Sequence, residues 1–159
     1  MSDVTPVPED FHTITPYLIC RDAAAAVEFY ERAFGARELY RNLAPDGHSI
    51  IHSELLIGDS RFFINEEFPD YGQHSPLHYG GSAVTLHLYV QDVDALFEAA
   101  VTAGAEVSVQ LDDQFWGDRY GKVRDPFGHE WSLASRIEDL SPDEVHQRAE
   151  AAFQPDTPT

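Results

Sequence analysis

The hydrophobic and polar positions of this chain follow a pattern that is written twice. "TPYLICRDAAAAVEFYERAFGA", from Thr15, aligns with "TLHLYVQDVDALFEAAVTAGA", from Thr85, at an offset of 70 residues (85 − 15). Thr15 meets Thr85, Leu18 meets Leu88, Asp22 meets Asp92 and Glu28 meets Glu98; Gly35-Ala36 then meets Gly104-Ala105. Each copy opens with an apolar run that stops at an Asp, a residue whose carboxylate accepts from the free N–H groups of a helix's first turn. Apolar residues then recur at helical spacing, Ala23, Val27, Tyr30 and Phe34 in one copy and Val93, Leu96, Phe97 and Ala100 in the other. A Gly ends each helix, as left-handed termination prefers.

Strand-like runs follow both helices. The first copy has "ARELYRN", "SIIHSELLI" and "SRFFINE", with Gly58-Asp59 turning between the last two. The second has "AEVSVQ", "QFWGDRYGKVR" and "HEWSLAS", with Asp125-Pro126-Phe127-Gly128 in the matching place. The fold class expected is therefore α+β, with tandem βαβββ modules. Residues 1–11 read as a flexible, Pro-punctuated lead-in, 12–66 as module one, 67–82 as a polar linker or pocket lid, and 83–136 as module two. Residues 137–159 hold a C-terminal helix signalled by Ser141, Pro142 and Glu144, followed by a tail. Val145, Ala149 and Phe153 lie on one face of that helix, for docking on the body or on a partner chain.

Two βαβββ copies, a Phe29-Tyr30-Glu31 helix and the "DPFGHEW" hairpin at 125–131 together resemble the vicinal oxygen chelate superfamily. That group includes glyoxalase I, bleomycin- and fosfomycin-resistance proteins and extradiol dioxygenases. The resemblance spans about residues 12–136. It implies that each module's strands curl into a half-open sheet, and that paired modules, in one chain or across a homodimer, close a cavity. In the metal-dependent members it further implies four ligand positions, one on the first and one on the last strand of each module, held by His, Gln or Glu. On this chain those positions fall on Thr15, Thr85, Ser132 and, by matching the Gly58-Asp59 turn, Ile64. Two threonines, a serine and an isoleucine do not make a tight divalent site.

Relocated ligands are the remaining route to a metal. Inward residues alternate along a strand, so Tyr17 follows Thr15 and His87 and Tyr89 follow Thr85, while Glu130 precedes Ser132. If Thr85 and Ser132 are level on parallel neighbours, His87 and Glu130 lie roughly 13 Å apart along the strands, too far for one ion. His87 is then a hydrogen-bonded pocket or core histidine, and Glu130 stands at a rim. His52 and Glu54 share a strand face with His48, which reads more simply as a wet hairpin face than as a chelate. His74 and His78 lie in the linker. Asp118 and Arg119 read as a salt bridge or turn contact, with Arg119 structural in preference to binding a substrate carboxylate. Phe115, Trp116 and Tyr120 supply aromatic area for core, interface or stacking. No nucleophile elbow or phosphate-cradling glycine loop is visible.

Charge narrows the partners. The chain carries 28 acids against 10 bases, a formal charge of −18, and Lys122 is its one lysine. Such a surface repels nucleic acid and anionic lipid, and no apolar run is long enough to span a bilayer. Acids spread along the whole length suit adaptation to high salt, as in a halophile, the plainer alternative being an ordinary acidic cytoplasmic protein. The single Cys20 allows no internal disulfide and reads as a buried apolar residue. The expectation is a cytoplasmic homodimer holding a small, partly apolar ligand in a pocket of Thr15, Tyr17, Ile64, Thr85, His87, Tyr89, Trp116, Glu130 and Ser132, with no cofactor. The competing reading is a lyase, isomerase or dioxygenase that uses a divalent metal through His52, His87 or Glu130.

Overall fold

A computed structural model describes residues 3–154; residues 1–2 of the lead-in and 155–159 of the tail lie outside the described residues. The first module runs β1 (Tyr17–Cys20), α1 (Ala23–Phe34), β2 (Arg37–Leu43), β3 (Ile50–Ile57) and β4 (Ser60–Glu66). A 3₁₀ turn at Pro69–Tyr71 and a one-turn helix, α2 (Pro76–Tyr79), follow. The second module is β5 (Thr85–Tyr89), α3 (Val93–Ala103), β6 (Glu106–Asp113), β7 (Asp118–Arg124) and β8 (Glu130–Arg136), and α4 spans Pro142–Ala152. The sheets have the orders β1-β4-β3-β2 and β5-β8-β7-β6. In each, the first strand pairs parallel with the last and the remaining pairs are antiparallel. The fold is the α+β tandem βαβββ arrangement with a C-terminal helix.

Local chemistry fixes the ends of the helices. The carboxylates of Asp22 and Asp92 accept from the N–H of Ala25 (3.1 Å) and Ala95 (3.0 Å). Gly35 (φ 65°) and Gly104 (φ 118°) close the two helices in a backbone region that residues with a Cβ avoid. Ser141 and Glu144 form the full capping box of α4.

The chain divides into two units, residues 3–82 with 126–129, and residues 83–125 with 130–154. In the first, α1 buries Ala23, Ala26, Val27, Phe29, Tyr30, Ala33 and Phe34, and Leu18, Cys20, Leu55, Phe62 and Ile64 are buried with them. The Tyr30 ring meets Phe62 at 5.8 Å. Phe127 lies edge-on to Phe29 and Tyr30, Gly128 (φ 89°) lies so close to Pro76 that an added Cβ would sit 2.9 Å from its Cβ, and His129 Nε2 donates to the Ile19 carbonyl (2.9 Å).

In the second unit Val93, Ala100, Val123, Trp131 and Leu133 are buried. Gly121 has no side chain because Phe97 of α3 fills the space: a Cβ there would lie 2.6 Å from its ring. The indole N–H of Trp131 donates to Asp125 (2.8 Å), both residues being buried. In α4, Arg148 pairs with Glu138 and Phe153 meets the Phe115 ring at 5.9 Å. The helix thus touches its own unit at these two points, while Phe153 stays largely exposed and Val145 and Ala149 are half-buried.

Candidate ligand-binding face

The second sheet turns Val123, Trp131 and Leu133, with Gly121 against Phe97, toward α3. Strand alternation puts Thr85, His87 and Tyr89 of β5, Glu130, Ser132 and Ala134 of β8, and Asp118, Tyr120, Lys122 and Arg124 of β7 on the opposite face. Backbone register arranges them in rows: Thr85–Glu130–Arg124, His87–Ser132–Lys122 and Tyr89–Ala134–Tyr120, with Asp118 opposite Arg136.

This register corrects the expected one. Thr85 is level with Glu130, not with Ser132, and His87 is level with Ser132. The interval between His87 and Glu130 along the strands shrinks to two residues, about 7 Å at about 3.3 Å each. The reason is that a parallel pair joined through a helix and a hairpin takes its register from core packing on the other face, Leu86 beside Trp131 and Leu88 beside Leu133.

The contacts on this face are specific. His87 Nδ1 and Ser132 Oγ share a hydrogen bond of 2.6 Å. The His87 ring meets Tyr89 edge-on at 4.5 Å and lies nearly parallel to Tyr120 at 6.1 Å, and Trp116 meets Tyr120 at 5.5 Å. One oxygen of Asp118 accepts from both Tyr89 OH (2.9 Å) and Trp116 Nε1 (3.0 Å). That hydrogen bond, with burial and the carboxylate's charge, raises the Tyr89 phenol above its ordinary value. Glu130 is buried, accepts from Arg124 Nε at 2.8 Å and lies 3.6 Å from Lys122 Nζ. The pairing holds the Arg124 proton more firmly than usual.

Of the residues expected to line a pocket, Thr85, His87, Tyr89, Glu130 and Ser132 share this face, and the Trp116 indole joins them through Asp118. Tyr17 belongs to the first unit, and its hydroxyl shares a 3.1 Å hydrogen bond with His52 Nδ1. The His52 ring packs on Phe63 at 4.6 Å, and burial raises the Tyr17 phenol. Thr15 precedes β1 and is half-buried. Ile64 does not join either group: it is fully buried and level with Leu18 on the α1 side. Phe63, level with Tyr17, is the true counterpart of Ser132, level with His87 seventy residues on (87 − 17).

Asp118 was legible only as a partner for Arg119, yet Arg119 bonds Asp94 and Asp113, and the carboxylate turns to the opposite face. Trp116 and Asp118, two apart in sequence, were the available signal. Tyr120 and Lys122 also join the face. In the linker, His74 and His78 stack at 3.9 Å.

Within its own unit each relocated ligand candidate is engaged by another group. His52 is engaged with Tyr17, Glu54 with Arg61, His87 with Ser132 and Glu130 with two cations. Among the described residues no group of three or more His, Cys, Asp or Glu could hold a metal ion. The two carboxylates that share the face with His87 are already engaged, Glu130 by Arg124 and Lys122 and Asp118 by Tyr89 and Trp116. That leaves one imidazole and neutral hydroxyls, a poor donor set for a divalent cation, so no chemical step is assigned to one.

The sequence model of the Glyoxalase/Bleomycin resistance protein/Dioxygenase superfamily matches residues 11–133. An uncharacterized protein of Mycobacterium tuberculosis is 45% identical over 135 residues, 83% of this chain and 79% of that one. Among solved structures, TioX from Micromonospora sp. ML1 superposes with a TM-score of 0.63 at 28% identity, covering 80% of this chain and all of TioX. An Arabidopsis thaliana gene product superposes with a TM-score of 0.62 at 32% identity, covering 78% of this chain and 98% of that one.

Proposed function

Because the chain belongs to the Glyoxalase/Bleomycin resistance protein/Dioxygenase superfamily, we propose that it binds a small, partly apolar ligand on the ring-lined face of its second sheet, without the divalent metal used by many relatives. The observation that carries this reading is the cluster of His87, Tyr89, Trp116 and Tyr120 beside Ser132 and Asp118. Tyr89 leaves 65% of its surface exposed although its hydroxyl is tied to Asp118. Rings held rigid and left open offer apolar area at little entropic cost, and the hydroxyls and imidazole supply orientation. The bond to Ser132 occupies one ring nitrogen of His87 and leaves the other edge for a ligand.

The test is a fluorescence titration with planar aromatic compounds. Trp116 reports from the face and Trp131 is buried behind the sheet, so Trp116→Phe should abolish the response. Binding that persists in EDTA supports the metal-free reading. Binding lost in EDTA and restored by a divalent ion refutes it in favour of a metal-dependent enzyme, and no binding by any planar compound refutes the site itself. The proposal includes a homodimer: light scattering should give twice the mass of one chain, and the mass of a single chain would overturn that part.

A further inference from the structure

Building on the binding reading, we infer that the ligand of this face is an organic cation, a flat or compact group with a delocalised or quaternary positive charge seated on the rings beside Asp118. The argument starts from an imbalance of charge. Asp118 is 5% exposed. Buried carboxylates are ordinarily matched by a cation, because desolvation is otherwise uncompensated. Here the partners are two neutral donors, the Tyr89 hydroxyl and the Trp116 indole, converging on one oxygen.

No Lys or Arg among the described residues pairs with Asp118. Arg136, opposite it in register, makes its ion pair with the exposed Asp139, and its charge reaches this face only at a distance, through its effect on the Tyr89 phenol. Lys122 and Arg124 are taken by Glu130, and Arg119 by Asp94 and Asp113 on the other side. The next acid across the sheet, Asp112, is level with Tyr120 and adds to the same excess.

The rings complete the site. An aromatic face is the negative pole of its quadrupole, and it attracts cations most when the surroundings are apolar. Among the described residues, the cation that lies over a ring is Arg61 on Phe11, in the other unit; the faces of Tyr89, Tyr120 and Trp116 have none. Tyr89 and Trp116 donate their polar hydrogens to Asp118, so the same carboxylate fixes the ring edges and enriches the electron density of the rings it holds. The face thus joins a buried anion that has no direct ion-pair partner to open aromatic surface, the arrangement that selects a positive charge over a neutral ring of the same shape.

The experiment compares three probes of one size on the full chain: N-methylquinolinium, neutral quinoline and 2-naphthoate. Calorimetry and Trp116 fluorescence are read above the pH at which quinoline is protonated. The cation should bind about tenfold tighter than quinoline, and the anion weakest. Asp118→Asn keeps an acceptor for the rings and removes the charge; it should erase the cation's advantage while leaving quinoline within about threefold of its original affinity. Glu31→Gln, an exposed acid on α1, lowers the overall negative charge equally and should leave the advantage intact, separating local selection from the general field.

Equal affinity for cation and quinoline, or an advantage that survives Asp118→Asn, overturns the inference while the binding site stands. Failure of every probe removes the binding reading with it. Should Asp118→Asn not fold, Tyr89→Phe, which frees one edge and keeps the charge, should retain the cation's advantage, and its loss would overturn the inference.

Discussion

The hairpin "DPFGHEW" depends on one buried pair, and removing the acceptor tests how the motif works. Asp125 and Trp131 are 3% and 2% exposed, and the indole N–H donates to the carboxylate at 2.8 Å. Asp125→Ala deletes a hydrogen bond to a charged acceptor, worth about 1.5–3 kcal/mol, and strands a buried N–H that water cannot reach. The two effects describe one loss and are not summed, so the expected cost is about 2–3 kcal/mol. For a chain of this size each kcal/mol shifts Tm by about 2–4 °C, so the variant should melt roughly 5–10 °C lower. Asp125→Asn retains an oxygen that can accept from the indole and should lose less than half as much. Urea unfolding followed by circular dichroism gives both values, with the slope m unchanged if the native and unfolded states keep their compactness. An Asp125→Ala protein that melts within about 1 °C of the parent, or an Asn variant as damaged as the Ala variant, would refute the assignment.

Other outcomes follow from the same structure. Asp118→Asn should let Tyr89 ionise at lower pH, toward its ordinary value, because the phenolate no longer forms beside a carboxylate; tyrosinate absorbance, with Tyr89→Phe identifying the residue, reads this. Glu67 is pushed down to about 2 by the Ser75 hydroxyl, then by Arg21 and the Ser75 N–H. A carboxyl whose folded value is depressed contributes stability that is present above the ordinary Glu value of about 4.3 and is lost as pH falls toward 2. Glu67→Gln should therefore lower Tm at neutral pH and flatten the acid limb of a Tm-against-pH curve, and an unchanged limb would contradict the pairing. The 28 acids against 10 bases predict that molar KCl raises Tm beyond the gain already reached at physiological ionic strength, where screening over about 8 Å is in place; a Tm that levels off there would remove the case for salt adaptation.

The first links in this structure were carried by local chemistry. Asp22 and Asp92 had to cap, Gly35 and Gly104 had to terminate, and the apolar spacing between them had to bury one face of each helix. These are decisions taken within a few residues, so the repeat, the α+β class, the capping box of α4 and the hairpin at 125–128 were all legible in the order of amino acids. Strand parity was legible too, which is why Thr85, His87 and Tyr89, or Glu130 and Ser132, were rightly grouped on common faces.

Register across sequence-distant strands was not legible. His87 and Ser132 are 45 residues apart, and nothing local states whether Ser132 stands beside Thr85 or beside His87; both choices keep every side chain on its own face. Leu86 and Leu88 packing beside Trp131 and Leu133 made that choice, and the same packing set Ile64 beside Leu18 and gave its expected place to Phe63. The partner of Asp118 was hidden for a related reason. In sequence its neighbour is Arg119, but successive strand residues point to opposite faces, so the pleat separated the two charges and delivered the carboxylate to Tyr89 and Trp116. Amino-acid order determined which residues could share a surface; only the folded core, through the cost of leaving apolar side chains unpacked, decided which of them touch.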